Sequence, residues 1–548
     1  LGWPRTLPGR GAQSPICADL NNDSIVELIV GTGAGLYVFH GDGTIAEGFP
    51  VRQQTDMRCI PAIYDVDGDG SNEIIATSAD GLHVFNHDGS YADGWPVACY
   101  TGYLNFGFPT PSVIELGGMN RDTAIVLINN RGEVLAYHLN GNPHFYSLEG
   151  WFADFDSKQE VSFFYGGNSV SSADFDGDGI LEVAAPYSLN SPWAGTALFN
   201  GRTGQPAWDR PNARVITATV IYGSSIVDLD GDNLPEIVAV GYDSLENRTV
   251  WVRTFAGEDL PGWPVVLPEV YRWLGTVPTI ADLDLDGSPE ILMTFFEFDI
   301  SALYILNADG SPHLIREGRP AGEVFFQAVT FGTPMVADLL GDERPEIVMR
   351  SGYVFPGTGT EKLWILDNEG YLMPGWPTAT PNRPATVFST QFAPMVDDVD
   401  GDGLVEVALI SDNNDLYVWD FSASSDNGNN RARLNYDDIN SNHPNIKGSS
   451  TGVDDPDANL PAGFVLGQNY PNPFNPGTKI QFDLPSKGDV KLEVFNILGR
   501  RVAVLVDAPK NAGRHTVEFD ASNLSSGLYL YRLRHDKNQM SRKMILLR

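Results

Sequence analysis

Basic side chains are scarce in this chain of 548 residues: 35 Lys and Arg stand against 71 Asp and Glu, for a formal net charge of -36. A surface this acidic argues against binding nucleic acid or an anionic membrane through a basic patch. Cysteine is scarcer still, with only Cys17, Cys59 and Cys99. Three thiols cannot all pair; a Cys59–Cys99 disulfide in an oxidising compartment and buried free thiols both stay open. No apolar stretch approaches the roughly 20 residues of a spanning helix. No charged and apolar leader precedes Leu1, so we expect either a removed signal peptide or a fragment of a longer sequence.

Catalytic signatures are missing as well. There is no His-Glu-x-x-His, no Gly-x-Ser-x-Gly elbow and no glycine-rich loop with phosphate-cradling spacing. The nine histidines are scattered. His83 and His87 flank a strand and turn, and in a β context they point to opposite ends of it. Two carboxylates from separate repeats could still meet for glycoside cleavage without any sign in the sequence, but nearly all candidate carboxylates belong to another pattern.

That pattern is the stretch DVDGDGSNE. Asp65, Asp67 and Asp69 alternate with small or apolar residues, Gly70 permits a backbone reversal, and Glu73 closes the loop before the apolar run Ile74, Ile75, Ala76. Alternate loop positions converge on one point only if a glycine-type turn folds them inward, and calcium accepts six to eight oxygens at about 2.3 to 2.6 Å. The pattern recurs at Asp174, Asp176, Asp178, Gly179 and Glu182, at Asp282, Asp284, Asp286, Gly287 and Glu290, and at Asp398, Asp400, Asp402, Gly403 and Glu406. Asp228, Asp230, Asp232 and Glu236 keep the carboxylates with Asn233 at the turn, a residue that visits left-handed conformations more readily than most. Asp19, Asn21, Asp23 and Glu27 form a weaker copy with Ser24 at the turn. Two copies have decayed: Asp338, Leu340, Asp342 and Glu346 lose one ligand, and the segment from Glu115 to Thr123 keeps little but the rhythm. About six structural calcium sites are expected.

The loops sit in a larger period of roughly fifty residues, which implies stacked supersecondary units. In the first repeat, Ser14 to Leu20 reads as a strand entering the loop, Glu27 to Gly31 as one leaving it and Leu36 to His40 as a third; Gly48, Phe49, Pro50 lead into a fourth. Four strands make a propeller blade. The Gly-aromatic-Pro signature returns at Gly94-Trp95-Pro96, Gly262-Trp263-Pro264 and Gly375-Trp376-Pro377, and its tryptophans are expected to pack between neighbouring blades. Gly2-Trp3-Pro4 lacks preceding strands, so it can supply the outermost strand of the last blade and remove exposed edges; Arg431 to Tyr436 is the competing closure.

From Asp437 the pattern stops, and Asn, Ser, Asp, Gly and Pro dominate to about Pro461, as in a solvated linker. Beyond it Lys479 to Leu484, Val490 to Val494, Thr516 to Phe519 and Leu528 to Leu533 alternate polar and apolar, which argues a small sandwich. The expected class is therefore all-β: an eight-bladed, alternatively seven-bladed, β-propeller over 1–436, a flexible linker over 437–461 and a small Ig-like β-sandwich over 462–548.

The loops with their flanking strands resemble the FG-GAP or VCBS repeats of integrin-alpha-like propellers, although Glu stands at the ninth loop position where integrin repeats generally carry Asp. The C-terminal segment is similar to the type A sorting domain of the bacterial type IX secretion system. It carries Gln468-Asn469-Tyr470-Pro471-Asn472-Pro473-Phe474-Asn475-Pro476, Val494-Phe495-Asn496-Ile497-Leu498-Gly499, Ala512, Gly513 and His515, Ser526-Gly527-Leu528-Tyr529, and Lys543-Met544-Ile545-Leu546-Leu547. The resemblance implies export across the outer membrane of a Gram-negative cell, with the translocon reading residues 462–548, and the linker is the accessible place for any cleavage.

Aromatic residues cluster just ahead of each blade's first strand: Tyr103, Phe106 and Phe108; Phe163, Phe164 and Tyr165; Tyr222; Tyr271 and Trp273; Phe325, Phe326 and Phe331; Phe388 and Phe392. In a propeller these connectors lie opposite the acidic loops. They are expected either to form a binding face for a glycan or protein, with His144 to Asn168 as its largest element, or to fill the blade junctions. The functional expectation is a secreted or surface-displayed, calcium-stabilised binding or adhesion module. An enzyme acting on polysaccharide, a hydrolase whose catalytic domain lies upstream of Leu1, and a structural component of a surface layer or filament are the alternatives.

Overall fold

In a computed structural model the chain divides into two compact units, Leu1–Thr451 and Gly452–Arg548. The structure describes most of residues 2–424 and 465–546. Outside the description lie 10–13, 102–107, 116–122, 130–133, 146–169, 189–193, 205–213, 268–272, 314–322, 327–331, 352–361, 380–392, 425–464 and 467–475, with some single positions and short stretches. The expected linker and Arg431 to Tyr436 fall among these. The described residues contain strands and turns and no α-helix.

The first unit is a succession of small antiparallel sheets, eight among the described residues. Sheet 1 holds Ile16–Ala18, Glu27–Thr32 and Gly35–Phe39, with Val51 bridging back to Leu36 where a fourth strand would lie. Sheet 2 repeats this with Ala62–Tyr64, Glu73–Ser78, Gly81–Phe85 and a Leu82–Val97 bridge. Sheets 3, 4 and 5 are centred on Thr123–Ile128, Glu182–Ser188 and Glu236–Tyr242, and sheets 6 and 7 on Glu290–Glu297 and Glu346–Ser351. In sheet 8, Met395–Asp397, Leu404–Ile410 and Asp415–Ser424 take Arg5–Thr6 as their fourth strand. The N-terminal segment pairs there, Arg5 facing Leu416 and Thr6 facing Asp415; the competing closure, Arg431 to Tyr436, lies outside the described residues.

Each second strand is apolar on both faces because it has a neighbour sheet on either side. In sheet 2, Ile74 and Ala76 join a core with Ile29 and Val38 of sheet 1, while Ile75 joins Ile125 and Leu127 of sheet 3. The same handover runs from sheet 3 to 4, 4 to 5, 5 to 6, 6 to 7 and 7 to 8. It then returns to the start: Met395, Ala408 and Ile410 of sheet 8 share a core with Cys17, Leu28 and Val30 of sheet 1. Cys17 Sγ donates to Asp397 Oδ2 at 2.9 Å across that seam.

The Gly-aromatic-Pro segments join one sheet to the next. Trp95 Nε1 donates to Leu139 O at 2.9 Å, Trp263 Nε1 to Ala308 O at 3.0 Å, and Trp3 Nε1 to Gly41 O at 2.9 Å. Trp95 and Trp263 are buried, so they are packing residues. At four of the five segments, Gly375 being the exception, the preceding glycine is required by close contact. Gly94 has φ +90°, and a Cβ there would run into the Asn140 carbonyl; Gly48, Gly262 and Gly2 meet Asp88, Asp309 and Asp42 in the same way.

The disulfide alternative is overturned, since none of the three cysteines is in a disulfide. Burial makes Cys59 inert, with its thiol pushed up to about 11. His83 is a buried structural histidine, with Nε2 2.7 Å from Ser78 Oγ and Nδ1 3.2 Å from Tyr91 Oη; His87 is exposed.

The second unit has two antiparallel sheets. One orders Val465–Leu466, Gly477–Leu484 and Gly513–Asp520; the other orders Arg501–Lys510, Gly488–Asn496, Gly527–His535 and Asn538–Leu546. Alternation puts Ile480, Phe482 and Phe519 of the first and Leu492, Val494, Tyr531 and Leu533 of the second into one core. Buried Glu493 is held by Arg501 Nη1 at 2.7 Å.

The sheet-to-sheet joint gives a direct test. Gly94→Ala should destabilise the chain by about 2–4 kcal/mol, from left-handed strain plus backbone overlap, whereas Trp95→Phe, which loses one hydrogen bond, should cost about 1 kcal/mol. Denaturant unfolding of both variants checks this; equal midpoints for Gly94→Ala and wild type would refute the contact.

Candidate metal centres in the acidic loops

Each acidic loop joins the first and second strands of its sheet, and backbone N–H groups shape it. In the loop of sheet 2, Asp65 Oδ1 accepts from Gly68 N at 2.7 Å and its Oδ2 from Gly70 N at 3.1 Å. Asp67 Oδ1 accepts from Asp69 N at 3.1 Å, and Asp69 Oδ1 from Ser71 N at 2.7 Å. The aspartates therefore turn inward because they cap their own loop, the local bonding that makes Asp a turn residue. Equivalent bonds form at Asp174, Asp176 and Asp178, at Asp228, Asp230 and Asp232, at Asp282, Asp284 and Asp286, and at Asp398, Asp400 and Asp402. In the loop of sheet 1, Asp23 N is donated to both Asp19 and Asn21, and Asp23 accepts from Ile25 N.

Among the described residues the turn position adopts positive φ, with +93° at Gly70, +68° at Asn233 and +71° at Glu343. Asn233 thus does what the missing glycine would do. The loop at Asp338, which lost a ligand in sequence, keeps the same backbone: Asp338 Oδ2 accepts from Glu343 N at 2.9 Å and Asp342 Oδ1 from Arg344 N at 3.0 Å. Of the loop from Glu115 to Thr123, residues 116–122 lie outside the description.

The closing glutamate is the most regular element. Its Oε2 accepts the N–H of the loop's second residue in seven loops: Glu27 from Leu20 (3.1 Å), Glu73 from Val66 (2.7 Å), Glu182 from Phe175 (3.1 Å), Glu236 from Leu229 (2.9 Å), Glu290 from Leu283 (2.8 Å), Glu346 from Leu339 (2.7 Å) and Glu406 from Val399 (2.6 Å). All seven side chains are buried. In Glu406 the other oxygen, Oε1, is also buried and has no hydrogen-bond partner. Burial is the main cause that raises these carboxyls, partly countered by the backbone hydrogen bond and reinforced by the neighbouring aspartates. Glu73, Glu290 and Glu346 are pushed up to about 7, Glu182, Glu236 and Glu406 to about 8, and Glu27 is raised.

Ligand atoms converge within 4.8 Å of one another in the groups Asp65, Asp67, Asp69; Asp174, Asp176, Glu182; Asp228, Asp230, Glu236; and Asp282, Asp284, Asp286. Loops of adjacent sheets lie side by side: Asn72 Nδ2 donates to Asp19 O at 2.7 Å, and Gly177 sits against Leu234. Two histidines stand beside the glutamates and were not legible from the loop pattern. His40 Nδ1 lies 3.6 Å from Glu27 Oε1 and His313 Nδ1 3.7 Å from Glu290 Oε1; no fixed spacing marks them.

The aromatic connectors are only partly open to description. Phe108 is buried at 4 % exposure in the core of sheets 1 and 2, which removes it from any binding face. The side chains of Tyr103, Phe106, Phe163, Phe164, Tyr165, Tyr222, Tyr271, Trp273, Phe325, Phe326, Phe331, Phe388 and Phe392, and most of the connection from His144 to Asn168, lie outside the described residues.

Residues 468–547 match the family model of the secretion system C-terminal sorting domain. The chain thus ends in a sorting domain of the type IX system, which implies secretion. No curated protein matches the chain. Among solved structures, the Vibrio cholerae biofilm matrix protein Bap1 is similar over 79% of this chain and 92% of its own, at 15% identity and a TM-score of 0.46. BBS1N, in its complex with ARL6DN, is similar over 77% and 96%, at 11% identity and 0.38. Dimeric latent PorU from Porphyromonas gingivalis is similar over 78% and 31%, at 13% identity and 0.14.

The raised glutamates set a pH dependence for the metal-free chain. Their ordinary value is 4.5 and their folded values reach about 7 to 8, so between these the folded state holds more protons than the unfolded state. Their contribution is fully present below about 4.5 and is lost as pH rises through 7 to 8. In chelator the melting temperature should fall steadily from pH 5 to pH 8.5, and Glu406→Gln should flatten the curve. A melting temperature that rises over this range would contradict the placement of these side chains.

Proposed function

We propose that the first unit is an eight-bladed β-propeller of FG-GAP/VCBS type whose acidic loops bind calcium, and that the chain is an exported binding or adhesion module. On this reading the sorting domain delivers it to the surface of a Gram-negative cell or to the medium. The propeller reading is supported by the succession of sheet cores that returns to its start and by the N-terminal strand in the last sheet.

The observation that carries the calcium reading is Glu406. A buried carboxylate oxygen without a partner is costly, and here it faces a loop whose three aspartates already spend oxygens on backbone N–H groups. The donor set is oxygen throughout, as a hard cation requires. Asp398, Asp400, Asp402 and Glu406 would hold the ion in sheet 8, with the corresponding residues in sheets 1, 2, 4, 5 and 6. The ion offsets the mutual repulsion of the carboxylates and so contributes to folding free energy. The role is structural: a charged loop between the first two strands of each blade becomes rigid, and the opposite connectors are left to meet a glycan or protein ligand.

Three measurements test this. Exhaustive chelation should lower the melting temperature by roughly 10 °C or more, as expected for several sites each adding a few kcal/mol, and calorimetric titration should return about six calcium ions per chain; an unchanged transition would overturn the calcium reading. Deletion of residues 462–548 should leave the protein inside a type IX-competent cell, as judged by fractionation and protease accessibility, and wild-type surface levels of the deletion would overturn the export reading.

A further inference from the structure

The loop of sheet 8 is built into the seam at which the first unit closes on itself. Every other pair of neighbouring sheets is consecutive along the chain, whereas sheets 8 and 1 bring together distant parts of it. The strand that crosses between them is short. Arg5 pairs with Leu416 and Thr6 with Asp415, and beyond them Leu7 N donates to Asn414 O at 2.7 Å and Asn414 Nδ2 to Gly9 O at 2.6 Å. Hydrogen bonds contribute modestly once their exchange with water is counted, so the other contacts across the seam decide whether the ring stays shut.

Three of those contacts start from the acidic loop that begins at Asp398. Asp397, the residue before it, accepts the Cys17 Sγ proton at Oδ2 (2.9 Å) and the Asp398 N–H at Oδ1 (2.9 Å), so one carboxylate joins the loop's first residue to the first strand of sheet 1. Val399, whose N–H is held by Glu406 Oε2 at 2.6 Å, puts its side chain into the core that Cys17, Leu28 and Val30 form with Met395 and Ala408. Asp400 lies against Gly41, in the turn after Gly35–Phe39, so closely that a Cβ on Gly41 would overlap its backbone; Trp3 Nε1 fixes the Gly41 carbonyl at 2.9 Å.

Asp398 and Asp400 are thus both carboxylates of the candidate cation site and neighbours of sheet 1. Glu406, buried with Oε1 unpartnered, ties the same loop to its own sheet. A loop of like charges keeps one geometry when a cation offsets their repulsion, and a ligand that binds one of two states shifts the equilibrium toward it. We propose that the cation bound by the loop of sheet 8 is the clasp of the ring: its occupancy sets how often sheets 8 and 1 part. The inference rests on the calcium reading and adds that one site among its counterparts controls closure.

The reporter is Cys17, buried in the seam core, and the control is Cys59, buried in the core shared by sheets 1 and 2. The full chain is treated with iodoacetamide across a calcium series, and alkylation of each cysteine is followed by peptide mass spectrometry. The logarithm of the Cys17 rate should fall with the logarithm of calcium concentration with a slope of about one, because a single ion is lost on opening, which amounts to about a hundredfold at a hundred times the dissociation constant. Cys59, reached when the whole unit unfolds, should react more slowly and with a steeper slope. Gly41→Ala, which removes no ligand, should speed Cys17 alkylation in saturating calcium by about tenfold and weaken one calcium site by the same factor, since coupling is reciprocal; the wild-type series stands without it if that variant does not fold. Calcium bound in calorimetry without effect on Cys17, equal rates and slopes at the two cysteines, or a folded Gly41→Ala chain with wild-type protection and affinity would overturn the clasp and leave the calcium reading standing. A chain that binds no calcium overturns both.

Discussion

The buried glutamate that closes each acidic loop is the constraint on which the first unit depends. Its carboxylate sits at or near the start of a sheet's second strand and accepts the backbone N–H of the loop's second residue, just past the end of the first strand, so it ties the loop to the second strand from inside the core. A carboxylate in that position must find either protons or positive charge, because burial raises its energy and the aspartates of the same loop add to the repulsion. Loop geometry and pH response therefore have one origin, and the proposed cation would share it. The aspartates are secondary to it: they shape the loop through their own backbone hydrogen bonds and leave their remaining oxygens to share.

A second set of contacts passes from sheet to sheet. The second strands are apolar on both faces and give one face to each neighbour, while glycine and tryptophan of the Gly-aromatic-Pro segments reach into the next sheet's turn. Among the described residues these contacts join adjacent sheets, as in repeat proteins whose stability is a sum of local and nearest-neighbour terms. What distinguishes this chain is that the sum closes, with Arg5–Thr6 pairing onto Asp415–Ser424 and Cys17 meeting Asp397. The strand order within the last sheet thus links residues some four hundred positions apart.

Much of this was legible because it is local. The strands at Glu27, Glu73 and Glu236 start where the loop pattern ends, the turn at Asn233 takes the positive φ its residue type allows, and the alternation in the C-terminal unit marks the side chains that share its core. The sorting domain was legible for a different reason, its short motifs being matched along nearly the whole module. The loop at Asp338 shows the limit of counting ligands: it lost a carboxylate at Leu340 but kept the backbone turn, since that turn depends on Asp338, Asp342 and the N–H groups between them.

The order of acidic residues by itself determined where each loop lies, which side chains turn inward and where each sheet begins, because those outcomes follow from hydrogen bonds a few residues long. Tertiary structure alone decided that Arg5–Thr6 joins the last sheet, that Cys59 and Cys99 remain separate thiols, that Phe108 is buried, and that His313 comes to lie beside Glu290. Each of these is a contact between distant positions, set by how sheets pack and how long a turn is, and no spacing in the chain encodes it.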